Sequence, residues 1–406
     1  MPEAVIVATA RSPIGRAFKG TLTTIRPDDA VRQMAATVLA KVPQLDPADI
    51  ADFMLGCGLP GGEQGFNMAR VVAIMLGYDH LPGTTVTRYC SSSLQTTRMA
   101  FHAIKAGEGD VFLSGGVECV SRYAKGSSDS WPDTQNPVFE AAKRRTEARS
   151  GEGAPKWHDP REDGAVPDIY IAMGQTAENV AQLRGITRQA QDEFGVRSQN
   201  LAEKALANGF WQRDITPLTL PDGTVVAADD GPRAGTTLER VAGLQPVFRP
   251  DGTVTAGNCC PLNDGAAAVV VMSDRKAADL GVTPLARIVA TGVSGLSPEI
   301  MGLGPVEASR QALARAGMTI DDIDLVEINE AFAAQVIPSY QELGIDIDKL
   351  NVNGGAIAVG HPFGMTGARI TSTLLNSLQF HDKTFGLETM CVGGGQGMAM
   401  IFERLS

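Results

Sequence analysis

Residues 84–93 read TTVTRYCSSS, and in this stretch an apolar run ends at Cys90 and a helical pattern begins directly after it. The predicted helix covers Ser91–Ala106 and is stopped by Gly107. A thiol at a helix N-terminus should have a lowered pKa, because the positive end of the helix dipole stabilises the thiolate. Cys90 is therefore a candidate nucleophile. Most free cysteines are small buried hydrophobic residues, however, and position alone leaves both interpretations open.

A second cysteine lies in a similar setting near the end of the chain. Cys391 ends an apolar run, and the glycines of Gly393–Gly395 follow it. A thiol beside bare backbone could shuttle protons while the N–H groups hold an oxyanion. Thr384–Cys391 and Gly397–Phe402 are predicted to form a hairpin across this turn. A two-residue hairpin turn needs fewer than three consecutive glycines, which favours a functional interpretation.

The sequence GHPFG at residues 360–364 lies between the two cysteines. A neutral imidazole at His361 could accept the thiol proton of Cys90. The flanking glycines permit close backbone approach, and Pro362 suits the start of a helix. The chain has only five histidines, and the other four lack such framing. We therefore favour a functional role for His361 over that of an ordinary turn residue.

Two further segments are candidates for ligand contacts. Asn329 follows the predicted strand Ile323–Ile328 and precedes a helix. Its side chain could orient a water molecule or donate to an oxyanion, but it could equally be a helix N-cap. Residues 255–258 could lie along an extended ligand, whereas the adjacent Cys259 and Cys260 are better interpreted as small packing residues.

Composition limits the classes of function. The 406 residues exceed the usual size of one hydrophobic core, so two or three domains are expected. With a net charge of −11, the chain lacks the basic footprint of a general nucleic-acid-binding protein. No stretch approaches the roughly 18–20 apolar residues of a membrane span, and residues 1–7 read as a strand rather than as a signal peptide. The six cysteines show no metal-ligand spacing, which predicts reduced thiols, no bound metal and a cytoplasmic protein.

Strand-like and helix-like segments alternate, which indicates an α/β fold whose element order is weakly repeated. In both halves a strand, a helix and a second strand follow one another, and the predicted segments are 4–9, 27–42 and 50–56 in the first half and 286–292, 305–316 and 323–328 in the second. Residues 351–356 are predicted as a strand that leads to His361. Cys90 and His361 would then occupy equivalent places, each between a strand and a helix. Packing of the halves would bring both turns to one crevice.

The stretch from 121 to 247 breaks this repeat and is predicted to be an inserted loop domain with helices near 176–183 and 188–207. The predicted division therefore has three parts: 1–120 together with 248–275 as the first half, 121–247 as the insertion, and 276–406 as the second half.

Taken together and in this order, the motifs around Cys90, Asn329, His361 and Cys391 resemble those of the thiolase family. The residues 173–179, MGQTAEN, resemble a further family motif. The resemblance spans nearly the whole chain. It implies two similar α/β halves in a layered α-β-α-β-α arrangement with an inserted loop domain, usually in a homodimer or homotetramer. It also implies coenzyme A (CoA) as co-substrate with no permanently bound cofactor.

The resemblance also implies residue roles. Cys90 would carry the acyl group, His361 would activate it, and Cys391 would be the acid/base. Asn329 would hold a water molecule in one oxyanion hole, and the backbone of Gly393 and Cys90 would form the second. The residues implied in CoA and acyl binding are Met173, Arg233, Ala256, Cys260, Ala331 and Phe332.

The expected reaction is thiolytic cleavage of a 3-ketoacyl-CoA, as in fatty-acid β-oxidation. The chain departs from many short-chain biosynthetic members at Ala172, where they have a histidine, and at Cys259 and Cys260, where many members have Ala-Ser. The alternatives are a biosynthetic acetoacetyl-CoA thiolase and, less favoured, a thiolase-like lipid carrier. A ketosynthase would typically lack the second cysteine, and a redox or zinc protein would need close cysteine spacing.

Overall fold

The structure of the protein is a computed structural model that describes residues 1–126 and 133–406. The strands in these residues are β1 Ala4–Arg11, β2 Gly15–Arg16, β3 Asp52–Cys57, β4 Gly83–Val86, β5 Val111–Cys119, β6 Leu218–Thr219, β7 Val225–Val226, β8 Asn263–Ser273, β9 Ala286–Gly295, β10 Leu325–Ile328, β11 Phe385–Val392 and β12 Gln396–Arg404. The α-helices are α1 Pro27–Ala40, α2 Met68–Met75, α3 Ser92–Ala106, α4 Glu140–Ala148, α5 Met173–Arg184, α6 Arg188–Ala207, α7 Phe210–Asp214, α8 Leu238–Ala242, α9 Asp274–Asp279, α10 Gly304–Ala316, α11 Ala333–Leu343, α12 Ala356–Val359 and α13 Thr366–Phe380.

The larger sheet contains two copies of one strand arrangement. Its order is β10-β11-β12-β9-β1-β8-β5-β3-β4, with β2 pairing to β8. Reading outward from the centre, β1, β8, β5 and β3 of the first half match β9, β12, β11 and β10 of the second in order and relative direction. The two copies join where β1 pairs with β9 through two residue pairs only. The predicted pair of similar halves is confirmed.

The helices complete five layers. One core cluster packs α1 and α2 against the outer face of the first half, and another packs α10 and α11 against the outer face of the second. A third cluster holds α3 and α13 between the two halves of the large sheet. These layers match the predicted α-β-α-β-α arrangement and bury both faces of each half, as mixed sheets with helical crossovers require.

The two central helices touch backbone to backbone near their N-termini. A Cβ atom on Gly367 of α13 would lie 2.2 Å from the backbone nitrogen of Leu94 in α3, so only glycine permits this approach. The hydroxyl of Ser93 also accepts a 2.8 Å hydrogen bond from the N–H of Ala368. The crossing therefore brings together the turns that precede the two helices, which carry Cys90 and His361.

The predicted strand at 351–356 is wrong. Leu350 forms a single parallel bridge to Val326, and the chain then turns, because Asn351 and Gly354 have φ angles of +44° and +82°. The Asn351 side chain replaces the missing ladder by accepting from the N–H of Ile328 and donating to its carbonyl, both at 2.9 Å. His361 therefore follows the short helix α12, while Cys90 follows a strand.

The segment between β5 and β8 contains α4 to α8 and the small β6–β7 sheet, and its predicted helices are confirmed as α5 and α6. Residues 127–130, part of the sequence that motivated the loop-rich interpretation, lie outside the described residues. The three-part domain division stays a prediction. In the part of the chain that the structure describes, no helix is long and apolar enough to cross a membrane, and no cluster of three His, Cys, Asp or Glu residues could hold a metal ion.

Candidate active site

Cys90 lies in a one-turn 3-10 helix, Tyr89–Ser91, between β4 and α3. Tyr89 has a left-handed φ of +41°, a conformation that is strained for an aromatic residue. The hydroxyl of Ser92 closes the turn, since it accepts from the N–H of Arg88 at 2.9 Å and donates to the carbonyl of Tyr89 at 2.7 Å. The turn therefore fixes the thiol at the point where β4 ends.

The expected lowering of the Cys90 pKa is wrong. The side chain is buried, and burial raises the pKa of Cys90 to about 11 because a thiolate is poorly solvated there. The N–H groups of Gly393 and of Cys90 itself lower the pKa and only partly offset this effect. Cys90 is thus a neutral thiol at rest, and it would need a base to act as a nucleophile.

His361 is 1% exposed and has the features of that base. Its Nδ1 lies 2.6 Å from the hydroxyl of Thr366, and this hydroxyl donates to the carbonyl of Pro362 at 2.8 Å. The carbonyl of Pro362 can only accept, so the Thr366 hydroxyl uses its one proton in that bond. The hydroxyl oxygen must then accept from His361, and Nδ1 carries the proton. Nε2 is then the basic nitrogen. Burial, and secondarily the charge of Arg369, lower the pKa of His361 to about 3, so the ring is neutral at physiological pH.

Asn329 lies beside this histidine, with its Nδ2 3.3 Å from Nε2. Its backbone is fixed by a 3.0 Å bond from its N–H to the carbonyl of Thr389 and by the side chain of Gln335, which donates to its carbonyl at 2.8 Å. The N-cap of α11 is Phe332, so the helix-cap interpretation of Asn329 is wrong. Its buried Oδ1 has no hydrogen-bond partner among the described residues, which leaves one acceptor for a water molecule or substrate.

Cys391 is the second-last residue of β11 at the predicted hairpin, and its side chain is fully buried. Gly394 and Gly395 have φ angles of +76° and +79°, which explains why the turn needs glycine. Burial raises the pKa of Cys391 well above its usual value, and the neighbouring Cys90 adds to this effect. Like Cys90, Cys391 is therefore a neutral thiol at rest.

A polar link that the sequence did not reveal connects the two turns. Arg88 donates to the side-chain oxygen of Gln396 at 2.8 Å, and the amide of Gln396 donates to the carbonyl of Gly393 at 3.2 Å. A Cβ atom on Gly393 would lie 3.3 Å from the ring of Tyr89. The glycine turn therefore lies directly against the loop that carries the nucleophile.

The predicted ligand-binding residues fall into two groups. Met173, Cys260, Ala331 and Phe332 belong to one small apolar cluster with Cys391. The cluster includes Cys391, so these predicted acyl and pantetheine contacts lie beside one of the two candidate thiols.

The second group lies in a pocket of about 310 Å³ that Arg233 and Ala256 line. Sequence reasoning missed Arg16 and Arg240, which also line it. Among the described residues, none of these three guanidinium groups forms an ion pair. A basic pocket in a chain of net charge −11 suits an anionic ligand.

Comparisons with known proteins agree with this geometry. Residues 4–275 match the family model "Thiolase, N-terminal domain", and residues 282–404 match "Thiolase, C-terminal domain". A 3-ketoacyl-CoA thiolase of Bacillus subtilis is 41% identical over 99% of this chain and 100% of its own length. The crystal structure of the Bacillus anthracis acetyl-CoA acetyltransferase has a TM-score of 0.86 and 37% identity, covering 100% of this chain and 99% of its own. The dimeric peroxisomal thiolase of Saccharomyces cerevisiae has a TM-score of 0.88 and 34% identity, covering 99% and 98%.

Proposed function

The chain belongs to the thiolase family and is an acyltransferase with CoA as co-substrate, and from this premise we propose that it cleaves 3-ketoacyl-CoA by thiolysis. The products are acetyl-CoA and an acyl-CoA shortened by two carbons. The observation that carries the proposal is the buried thiol of Cys90, which faces the N–H of Gly393 beside a second thiol, Cys391. One thiol can hold the acyl group while the other moves a proton.

In the first half-reaction, Nε2 of His361 accepts the proton of Cys90, and the thiolate attacks the 3-keto carbon. The N–H groups of Gly393 and Cys90 stabilise the charge that develops on the 3-keto oxygen, typically the largest catalytic contribution. The C2–C3 bond then breaks. Its electron pair forms the enolate of acetyl-CoA, whose thioester oxygen lies by His361 and a water molecule held by Asn329. Cys391 donates its proton to C2, and acetyl-CoA leaves.

In the second half-reaction, the Cys391 thiolate accepts the proton of a new CoA thiol. The CoA sulfur attacks the acyl carbonyl on Cys90, and the same two N–H groups hold the oxyanion. The tetrahedral intermediate expels the Cys90 sulfur, which recovers its proton from His361. A covalent intermediate between two half-reactions implies ping-pong kinetics.

The alternative is condensation of two acetyl-CoA molecules, which is the same reaction in reverse. The similarity to the acetyl-CoA acetyltransferase of Bacillus anthracis supports this alternative. The relative from Bacillus subtilis, however, is a 3-ketoacyl-CoA thiolase. A lipid carrier without catalysis would not need two thiols, a neutral histidine and a free amide oxygen in one place. We favour the degradative role, as in β-oxidation.

Thiolysis rates across chain lengths test this choice. We expect kcat/KM to rise from C4 to C8 substrates, because each buried methylene contributes about 0.8 kcal/mol, or about fourfold in rate. The measurement is kcat/KM for C4, C6, C8 and C10 3-ketoacyl-CoA under one condition. A steep fall beyond C4 would instead make the protein an acetoacetyl-CoA thiolase.

We also propose that the basic pocket holds the phosphates of CoA. Arg233 lines it, and its guanidinium has no ion-pair partner among the described residues, so its charge is free for a phosphate. The backbone there is fixed, since the N–H of Arg233 donates to Gln199 at 2.8 Å. Lys143, Arg144 and Arg145 lie on α4 and do not line the pocket.

Replacement of Arg233 should weaken CoA binding selectively. For Arg233→Ala we expect the KM for CoA to rise about tenfold at low salt, because a paired charge is lost, and the difference to shrink as salt screens it. Arg144→Ala is the matched control, since this side chain is 68% exposed. An unchanged KM at low salt in the Arg233 variant would show that the phosphates bind elsewhere.

We propose a homodimer, in which the second copy pairs at the free edge of β4. This strand ends the large sheet, so one row of its backbone groups has no ladder partner among the described residues. Large apolar side chains surround it: Phe66 is 94% exposed, and Ile74 and Tyr89 are 48% and 44% exposed. Two antiparallel copies of an edge strand form a self-complementary contact with twofold symmetry. The similarity to a dimeric thiolase supports the same assembly.

A charge at the centre of this surface should separate the dimer. Phe66→Asp should shift the mass in sedimentation or light scattering from two chains toward one, because a carboxylate would be buried without a partner. The side chain is almost fully exposed in a single chain, so the monomer should stay folded. Val225→Asp, at a 62% exposed position on β7, is the control. If both variants remain dimeric, the interface lies elsewhere.

The chemistry that the site requires supports a reducing cellular compartment. All six cysteines are free thiols in the structure, and both half-reactions need Cys90 and Cys391 reduced. We propose that the protein works in the cytoplasm, where thiols are kept reduced.

A further inference from the structure

Glu118 is a fully buried carboxylate of β5 that has no part in the reaction steps above. Its Oε2 accepts two hydrogen bonds at once, from the N–H of Gly58 at 2.7 Å and from the N–H of Gly364 at 2.9 Å. Gly364 belongs to the turn of His361. The carbonyl of Gly58 accepts a 2.7 Å bond from the hydroxyl of Thr87, three residues before the nucleophile. One oxygen atom therefore connects the histidine turn to the nucleophile loop.

The other oxygen holds the carboxylate in place. Oε1 accepts from the side chains of Gln64 at 2.7 Å and Tyr123 at 2.8 Å, and from the N–H of Leu59 at 3.3 Å. Burial raises the pKa of Glu118, and these donors oppose that effect. An ionised carboxylate has two oxygens that only accept, so both of its ends can face hydrogen-bond donors. A neutral amide in the same place would turn its own N–H₂ group toward one set of these donors.

The two backbone segments that Glu118 joins are also in direct contact. A Cβ atom on Gly364 would lie 2.7 Å from the nitrogen of Gly58. A Cβ atom on Gly58 would lie 2.4 Å from Oε2 of Glu118 and 2.9 Å from Cβ of Phe363. Bare backbone on both sides lets the two segments approach closely enough to share this one oxygen.

We propose that Glu118 is a positioning residue that sets the distance between the His361 base and the Cys90 nucleophile. The inference rests on the proposed function, in which His361 of one half activates Cys90 of the other. The contact between α3 and α13 brings the two turns together, and the shared carboxylate fixes their final separation. Proton transfer requires hydrogen-bond reach between the two groups, and a misplacement of 1 Å can lower a rate about 100-fold.

The pH dependence of Cys90 alkylation by iodoacetamide tests this without any acyl-CoA. In the wild type, the neutral His361 assists the reaction, so the rate should change little between pH 7 and 9. In Glu118→Gln, whichever way the amide is turned, its nitrogen faces backbone N–H donors. We expect the rate at pH 7 to fall about 10- to 100-fold and then to rise toward tenfold per pH unit, as for an unassisted thiol. Gly58→Ala should act in the same direction and covers the case that Glu118→Gln does not fold.

Glu178→Gln is the matched control, because Glu178 is also a buried carboxylate and accepts at 2.9 Å from the N–H groups of Thr253 and Val254, which belong to neither turn. A variant that only loses stability should lower the melting temperature and leave the pH profile flat. A flat profile in both Glu118→Gln and Gly58→Ala, or the same change in Glu178→Gln, would overturn the positioning role. If the wild type itself forms no acyl-enzyme on Cys90, the proposed function fails instead, so the two failures are distinct.

Discussion

Cys90→Ala should lose acyl transfer by about 10⁴-fold or more while it keeps its fold, because the covalent pathway has no other nucleophile. The thiol occupies a small buried site, so an alanine there leaves little space and exposes no charge. Incubation of the wild type with acetyl-CoA should add one acetyl group, which intact mass detects and peptide mapping assigns to Cys90. The variant should stay unlabelled.

Cys260→Ala is the control for this experiment, since Cys260 is a neighbouring thiol with a pKa raised well above the usual value by burial. It should still be acylated on Cys90. A label on Cys259, Cys260 or Cys391 in the wild type would contradict the assignment.

The pKa values of Cys90 and His361 also predict the pH dependence of acylation. The Cys90 thiol has a pKa of about 11 and is protonated below pH 11. The His361 imidazole has a pKa of about 3 and is neutral above pH 3. Between these limits neither free group changes its protonation state. The acylation rate measured by stopped flow should therefore stay flat from about pH 5 to pH 9, without the fall below pH 6.5 that an unshifted histidine would give.

The fold was largely predictable from the sequence, because apolar runs and helix-stopping glycines mark the repeated elements. The hairpin around Cys391 and the helix after Cys90 were confirmed close to their predicted limits. The strand predicted at 351–356 is wrong although its sequence, NVNGGA, already contains the Asn and Gly residues that favour turns. The side chain of Asn351 replaces the backbone ladder there, and that contact depends on residues of another element.

The site was predictable in its residue types and not in its electrostatics. Local sequence places Cys90 at a helix N-terminus, which argues for a low pKa, but burial by both halves of the fold outweighs it. Glu118 and the link from Arg88 to Gln396 are also long-range contacts between the halves. No local pattern marks such residues. The motifs predict which groups react, and the tertiary structure shows which contacts hold those groups in place.

Cys391→Ala should separate the two steps that the thiols share. The variant keeps Cys90, His361 and the N–H of Gly393, so it should still acquire an acyl group from acetyl-CoA, although slowly. Thiolysis of 3-ketoacyl-CoA and exchange of the acetyl-CoA α-protons with solvent deuterium should fall by about 10²–10⁴-fold, because no other acid is placed to protonate the enolate carbon.

The buried position of Cys391 makes this prediction sharp. The side chain is 0% exposed, so bulk water does not reach this position and cannot replace the missing proton donor. Cys391→Ser is the informative companion, since it keeps the size of the group and a proton but is a weaker acid, and it should lie between alanine and the wild type. If Cys391→Ala is still acylated but no longer exchanges the α-protons, Cys391 is the group that transfers the proton. Near-normal thiolysis in Cys391→Ala would mean that another group protonates the enolate, with Cys260 of the same apolar cluster as a candidate.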